Sequence, residues 1–224
     1  MDIISTFFNL PILGRSLPLL LEGLWTTLQL GVVGIIAGLV TGLILALVRM
    51  YGSRAAKLVA KVYTDIFRSV PLLVLMIVIY YALPFVGIRL SPFVSAVSAF
   101  TLVSTAYTAE IFRAGIEAIP RGQFEASAAL GLSYRHMMGE IILPQAFKIV
   151  IPPLTNNCIN VLKDTALASV VAMPDLLKQA TQAQALMANP TPLIGAAFIY
   201  IALLLPLVTA VAHLEKRFKI GSRI

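Results

Sequence analysis

The sequence predicts an all-α integral membrane protein with five transmembrane helices, the N-terminus outside and the C-terminus inside. Its composition is 59% hydrophobic and only 12% charged, and its mean hydropathy is +0.92. The apolar residues form long runs without a charged side chain, at Gly31–Val48, Pro71–Ile88, Leu90–Ala109 and Leu193–Ala212. Each run is long enough for a helix to cross about 30 Å of hydrocarbon.

Five membrane spans account for these runs. The fourth span contains Lys148 and the pair Pro152-Pro153, which predicts a broken helix because proline removes a backbone hydrogen bond. No internal repeat or linker is present, so residues 1–224 form a single predicted domain. We place the spans at about Leu19–Val48, Val70–Pro84, Pro92–Ile116, Glu140–Leu162 and Leu193–His213.

The charge pattern predicts the orientation of these spans. The net charge is +7, and basic residues cluster in the segments that an odd number of crossings would place inside the cell, as the positive-inside rule requires. The charge therefore indicates topology and a lipid environment, not nucleic-acid binding. The clusters are Arg49, Arg54, Lys57, Lys61 and Arg68, then Arg121 and Arg135, then Lys216, Arg217, Lys219 and Arg223.

Two local patterns concern packing. Gly34, Gly38 and Gly42 lie four residues apart in the first span, so they share one helix face. This face either packs against another helix or lines a pore. The segment Arg54–Arg68 has apolar residues at four-residue spacing between basic ones, which predicts an amphipathic helix lying at the inner membrane interface before the second span.

The polar segment between the third and fourth spans predicts a short helix–turn–helix. Pro120–Leu130 contains good helix formers, and Gly131 is placed to end the helix in the left-handed conformation that glycine accommodates most easily. Ser133 can then cap the next helix. Ala126, Ala129 and Leu130 share one face and would present small apolar residues to a partner, although an ordinary connecting loop would also satisfy the spacing.

A resemblance to a known family separates these two interpretations. The pattern Glu125-Ala126-Ser127, then Gly131 after three intervening residues, then Ile141-Ile142-Leu143-Pro144 after nine more, resembles the "EAA" loop of membrane subunits of ATP-binding-cassette importers. Ser127 stands where the family usually has alanine. The stretches "YTDIFRSVPLLVLM", "AYTAEIFRAGIEAIPRGQFEA", "LPQAFKIVIPPLTNN" and "LKDTAL" resemble the polar amino-acid branch of these permeases, and together they cover nearly the whole chain.

The resemblance implies a coupling helix that docks on a separate ATPase dimer at the cytoplasmic side. This helix lies in a loop at about 120–140, and the motif itself runs from Glu125 to Pro144. It also implies a second permease subunit (identical or related), an extracytoplasmic amino-acid-binding protein, a polar amino-acid substrate and a bacterial cytoplasmic membrane. The residues that it assigns to ATPase coupling are Glu125, Ala126, Ser127, Ala129, Leu130, Gly131, Leu132 and Tyr134.

Nucleotide chemistry is not expected in this chain. The dipeptide Gly-Lys never occurs, so the phosphate-binding loop of P-loop ATPases is absent. The resemblance therefore implies that ATP and magnesium bind to the partner ATPase, that this chain holds no cofactor, and that it is not an enzyme.

Polar residues at membrane depth are the candidates for a substrate pathway, because they are costly there and usually face a cavity. Glu110 and Arg113 share a helix face and could instead form an ion pair that stabilises the bundle. Asp164 could contact the substrate directly or have a structural or gating role. The full candidate set is Glu110, Arg113, Asn157, Asn160, Asp164 and Thr165.

Three other functional classes fit the sequence less well. An importer subunit for another small solute would share most of the motifs. An ion-coupled secondary transporter usually has inverted repeats within one chain, and none is detectable. A membrane enzyme would need a compact catalytic or metal-ligand cluster, and the two histidines, His136 and His213, are far apart in sequence.

Overall fold

The computed structural model describes residues 6–219, and helices are the regular secondary structure of this part of the chain. Several helices are joined by π or 3-10 turns rather than by loops. The elements are α1 (Leu10–Tyr51), α2 (Arg54–Ser69), α3 (Leu72–Ile77) with a π turn (Val78–Ala82) and a 3-10 turn (Leu83–Val86), α4 (Pro92–Glu117), α5 (Arg121–Ala129), α6 (Tyr134–His136) with a π turn (Met137–Ile142), α7 (Leu143–Asp164) with a 3-10 turn (Thr165–Val171), α8 (Leu176–Met187) and α9 (Thr191–Lys219).

Four segments of the described chain are long and apolar enough to cross a membrane: α1, α4, the stretch Tyr134–Val171, and α9. The segment predicted as the second span is the short helix α3 with its two turns. It passes the same test only together with α2, from which it is bent by 101°. The fold is therefore all-helical with four candidate spans, or five if this bent pair counts as one.

A row of close contacts joins α1 to α4. A Cβ atom added to Gly38 would lie 2.4 Å from Ser104 Oγ, and one added to Gly42 would lie 2.5 Å from Thr108 Cβ. No side chain larger than hydrogen fits at these two positions, as in other membrane helix pairs that approach closely through small residues. The glycine face of α1 therefore packs against α4, which is the first of the two interpretations given above.

The contacts also fix the relative directions of the helices. The glycines of α1 meet α4 in ascending order in both helices, so these two helices run the same way. Helix α9 begins beside the start of α1, where the Asn9 amide donates to Thr191 Oγ1 at 3.2 Å, and Leu20 packs with Ala196 further along. Thus α9 also runs parallel to α1.

Helix α7 runs in the opposite direction. Asn157 contacts Thr108, whereas Val150, earlier in α7, lies against Gly115, later in α4. Because α1 and α4 are parallel, the chain must return between them, and α3 with its turns occupies that part of the sequence.

The predicted break of the fourth span at Pro152-Pro153 is wrong. Helix α7 continues through both prolines from Leu143 to Asp164, and the irregular turns lie before and after it. Membrane helices tolerate interior proline because neighbouring helices and hydroxyl side chains can satisfy the backbone groups that it leaves free.

Helix α2 has a buried side and an exposed apolar stripe, besides its basic residues. Ala60 and Thr64 are buried against the bundle, and the Tyr63 hydroxyl donates to the Leu102 carbonyl of α4 at 2.9 Å. The residues on the other side are apolar and exposed, namely Leu58, Val59, Val62 and Ile66. The amphipathic helix predicted from the sequence is present, and its apolar side has no partner within the described chain.

Helix α8 was not among the predicted elements. Asp175 caps it, because Oδ1 accepts from the Lys178 amide at 3.1 Å. The Leu176 amide donates to Thr27 Oγ1 of α1 at 3.0 Å. Asp175 is fully buried and its Oδ2 has no hydrogen-bond partner among the described residues. Burial raises the pKa of this carboxyl to about 6.

Candidate functional site

The loop between α4 and α7 forms the helix–turn–helix that the sequence predicts. Helix α5 ends at Ala129, and Gly131 follows with φ of 70°. The Leu132 amide donates to the Ser127 carbonyl at 3.2 Å and the Gly131 amide to the Ala128 carbonyl at 3.0 Å. This pair of bonds is the Schellman motif, which satisfies the last carbonyl groups of a helix.

The second half of the loop begins with the predicted serine cap. The His136 amide donates to Ser133 Oγ at 3.4 Å, and α6 starts at the next residue, Tyr134. From there the backbone passes through the π turn directly into α7. A short connection with a hydrogen-bonded cap at each end therefore joins α5 to α7.

The residues assigned to coupling divide into an outer and an inner set. Ser127 is 2% exposed, and its Oγ donates to the Gln123 carbonyl at 2.6 Å. It is the inner contact of α5, which explains why a small residue is needed there and why a hydroxyl is tolerated. Leu132 is half-buried. The outer set is exposed and comprises Glu125, Ala126, Ala129, Leu130, Gly131 and Tyr134.

Leu130 is the most prominent member of the outer set, with 77% of its surface exposed. Beneath the loop, Ile119, Met138, Ile142 and Ala146 form a buried cluster. The loop is thus held from below by an apolar core, and its exposed side chains Leu130 and Tyr134 face outward.

A charged cluster lies at the end of the bundle nearest to this loop. Glu110 of α4 pairs with Arg113 in the same helix, as predicted, and with Arg49 of α1 at 2.5 Å. Arg68 of α2 lies 3.9 Å from the same carboxylate, and Arg113 also pairs with Glu117. One carboxylate therefore connects three helices.

Arg49 and Arg68 are the members of this cluster that sequence reasoning did not find as partners of Glu110. They are separated from it by about 60 and 40 residues, and both were interpreted only as topology signals. The structure supports the interpretation of Glu110 and Arg113 as an ion pair of the bundle.

A polar cavity of about 340 Å³ lies between α4 and α7. Asn157, Asn160 and Asp164, three of the predicted pathway residues, line it. Leu72, Phe100 and Val103 supply apolar wall. The polar lining that was not predicted consists of Ser104, Tyr107 and Lys163.

Asn157 is oriented by two bonds across the helix pair. Its Nδ2 donates to Ser104 Oγ at 3.2 Å and to Thr108 Oγ1 at 3.3 Å. Thr165 differs from the other candidates, because it is fully buried and its Oγ1 donates to the Leu162 carbonyl at 2.6 Å. It stands outside the cavity lining.

The cavity and the charged cluster are neighbours along α4. Tyr107 lines the cavity, and the Arg68 guanidinium lies 5.5 Å from the centre of its ring while also approaching Glu110. The cavity itself contains both signs of charge, with Lys163 beside Asp164. It can therefore receive a small molecule that carries both an ammonium and a carboxylate group.

Comparison with known proteins gives consistent matches. Residues 34–220 match the family model described as "Binding-protein-dependent transport system inner membrane component". The chain is 40% identical over 206 residues to the arginine transport system permease protein ArtQ of Bacillus subtilis, covering 91% of this chain and 94% of that protein. It is 40% identical over 204 residues to the L-cystine transport system permease protein TcyB of the same organism, covering 89% and 86%.

Solved structures agree. A crystal structure of an amino acid ABC transporter with histidines superposes with a TM-score of 0.87 at 36% identity, covering 97% of this chain and 99% of that chain. Structures of the MetNI methionine ABC transporter give a TM-score of 0.69 at 22% identity, which shows the fold alone. These matches confirm the family resemblance found in the sequence, and they do not favour the alternatives of another small solute or an ion-coupled secondary transporter. The chain belongs to the family of binding-protein-dependent transport system inner membrane components.

Proposed function

We propose that this chain is the transmembrane subunit of an ATP-driven importer that moves a polar amino acid across the bacterial cytoplasmic membrane. The observation that carries the proposal is the pairing of an exposed, rigidly capped loop with a cavity of mixed charge in one helical domain. The relatives support the substrate class, since their names refer to arginine, cystine and, in a third case, glutamine.

The proposed topology has five crossings within one domain, residues 1–224, with the N-terminus outside and the C-terminus inside. The parallel directions of α1, α4 and α9 and the reverse direction of α7 support it. With these directions, α3 and its turns are the return crossing between α1 and α4, and α2 lies along the inner interface.

The loop at about 120–140 is the proposed coupling element. Its outer residues, Leu130 foremost, dock on a separate ATPase that binds ATP and magnesium. Because α5 is fixed to α7 through the Gly131 and Ser133 caps, a movement of the ATPase surface is passed directly to the helix that lines the cavity. Two permease subunits together enclose the pathway, and an extracytoplasmic binding protein delivers the amino acid. This is rocking of rigid bodies, biased by a ligand that prefers one state.

The cavity between α4 and α7 is the proposed substrate contact. Asp164 is placed to meet the ammonium group, while Lys163 and the amides of Asn157 and Asn160 are placed to meet the carboxylate. A volume of about 340 Å³ lies at the lower end of the range for small-molecule sites. Glu110 and Arg113 belong to the inner end of the same pathway, where they tie α4 to α1 and α2.

The substitution Asp164→Asn tests the substrate contact in the reconstituted complex. Loss of the carboxylate is expected to weaken the apparent affinity for the amino acid about tenfold or more, since a buried charge-assisted hydrogen bond is lost. The measurement is ATP turnover against amino-acid concentration with the cognate binding protein. Asp65→Asn, an exposed carboxylate on α2, is the matched control.

Two results would contradict the proposal at different levels. Unchanged affinity and selectivity in Asp164→Asn would remove the substrate contact but leave the importer function. If no amino acid stimulates ATP turnover in the wild-type complex, the importer function itself is wrong.

A further inference from the structure

A second cavity lies at the loop end of the molecule, apart from the substrate cavity. It has a volume of about 530 Å³ and lies between the end of α1, the first turns of α2, the end of α4 and the coupling loop. Its basic lining consists of Arg49, Lys57, Lys61 and Arg113, with Glu117 as the acidic residue. We call this cavity the basic groove.

The positive charge of the groove is only partly neutralised. Arg49 and Arg113 are paired with Glu110, and Arg113 also with Glu117. Lys57 and Lys61 are exposed, and neither has an ion-pair partner among the residues that the structure describes. They lie four residues apart on α2, so both ammonium groups project from the same face. The groove therefore presents two unpaired cations to an anionic ligand.

The surroundings of the groove identify the class of ligand. The apolar stripe of α2 (Leu58, Val59, Val62 and Ile66) is exposed over 47% to 69% of each residue's surface. A helix with an exposed apolar stripe next to basic residues is typical of elements that lie in the plane of a membrane surface. An anionic group that enters the groove from that surface is the phosphate of a lipid, whose acyl chains can follow the stripe.

We propose that the basic groove binds the headgroup of an anionic phospholipid, with Lys57 and Lys61 at its phosphate. The proposal rests on the membrane orientation given under the proposed function. Phe124 and Tyr134 of the coupling loop also line the groove, and the Tyr134 hydroxyl bonds to the Tyr51 hydroxyl at 3.4 Å. A bound lipid thus contacts α2 and the coupling loop together, and links the charge of the leaflet to the surface that docks the ATPase.

The test counts lipids on the intact complex. The chain is purified with its partner subunits, and bound phosphatidylglycerol and phosphatidylcholine are counted by native mass spectrometry during titration. In Lys57→Gln/Lys61→Gln, phosphatidylglycerol binding is expected to weaken about 30-fold, because each lysine near an anionic lipid surface contributes roughly a fivefold preference. Phosphatidylcholine binding is expected to stay unchanged.

Controls separate the site from general charge. Arg15→Gln/Arg89→Gln removes the same charge from exposed positions at the opposite end of α1 and α4 and is expected to bind phosphatidylglycerol as wild type does. Lys57→Arg/Lys61→Arg keeps the charge and is expected to retain binding. If the double glutamine variant cannot be purified, the single variants are measured, with an expected loss of about fivefold each.

Two outcomes would overturn the lipid proposal. One is equal phosphatidylglycerol binding by the lysine variant and by the Arg15→Gln/Arg89→Gln control. The other is unchanged lipid binding with release of the ATPase, which would assign the groove to a protein partner. Lipid binding and ATPase release are both measured without substrate. A failure of the importer function would instead be seen as no stimulation of ATP turnover by amino acids, so the two failures can be told apart.

Discussion

The coupling loop and the cavity between α4 and α7 use their polar groups in opposite ways. In the loop, Ser127 and Ser133 bond to nearby backbone, and the large side chains Leu130 and Tyr134 face outward. In the cavity, Asn160, Lys163 and Asp164 face open space between the helices. This difference supports the two proposed roles: an apolar contact with a protein partner for the loop, and a small polar occupant that binds and leaves for the cavity.

The largest expected effect concerns the charged cluster next to the cavity. In Glu110→Gln, Arg49 and Arg113 lose the carboxylate that they share. Their two positive charges then remain close together without an anion between them. Removing one partner of a buried ion pair costs about 3 to 5 kcal/mol, and since Glu110 is 19% exposed we expect about 2 to 3 kcal/mol. The measurement is thermal unfolding of the purified complex. Glu117→Gln, at a side chain 62% exposed, should cost less than about 1 kcal/mol, and equal losses in the two variants would contradict the account.

Asp175 is a buried carboxyl with one oxygen unpartnered among the described residues. Its negative charge should lower the stability of the protein, whereas the charge of Glu110 raises it. The pKa of Asp175 is raised to about 6, so the native state holds this proton more tightly than the unfolded chain does. Its contribution therefore lowers stability as the pH rises from about 4 to about 6, on the order of 2 kcal/mol. Lys178 and Tyr200 are the other ionisable groups that act on Asp175.

The substitution Asp175→Asn tests that sign. Asparagine still caps α8 but cannot ionise, so the variant should be more stable than the wild type at pH 7.5 and nearly equal to it at pH 4. Unfolding midpoints at the two pH values measure the difference. A variant that is destabilised equally at both would show that the carboxylate is needed in its charged form.

A smaller effect is expected at the tip of the loop. Leu130→Ser should leave the stability of this chain unchanged but weaken ATPase binding about tenfold, since burial of a leucine contributes about 1.5 to 3 kcal/mol and serine loses most of it. Affinity between purified subunits is the measurement. Leu186→Ser is the control, because that leucine is 79% exposed on α8, and identical affinities for the two variants would exclude Leu130 from the interface.

The smallest expected effect concerns the cap behind Leu130. Gly131→Ala places a side chain at φ of 70°, which costs about 1 kcal/mol and should reduce ATPase affinity about fivefold. The chain holds Ala172 and Ala188 at positive φ, so the variant is expected to fold. Gly122→Ala, where an added Cβ meets nothing within 4 Å, should match the wild type; a matching result for Gly131→Ala would show that the cap does not orient the loop.

The same two regions explain what could be predicted from the sequence. The caps at Gly131 and Ser133 depend on residues within a few positions of each other, so local pattern was sufficient and both predictions are confirmed. The cavity joins Ser104 and Tyr107 to residues about 50 positions later, and a single sequence contains no signal for that distance. The four long apolar helices were visible through hydropathy, whereas the segment predicted as the second span qualifies only together with α2. The break predicted at Pro152-Pro153 was wrong, because local propensity does not include the contacts that sustain a helix.

The contacts between α1 and α4 have a mechanical consequence. Gly34, Gly38 and Gly42 meet residues of α4 that repeat at the same four-residue spacing, ending at Ser104 and Thr108. A slide of less than about 6 Å, the rise of four residues, would drive side chains of α4 into the backbone of α1. We therefore expect α1 and α4 to move together as one rigid body. Any conformational change is then confined to the contacts between this pair and the neighbouring helices.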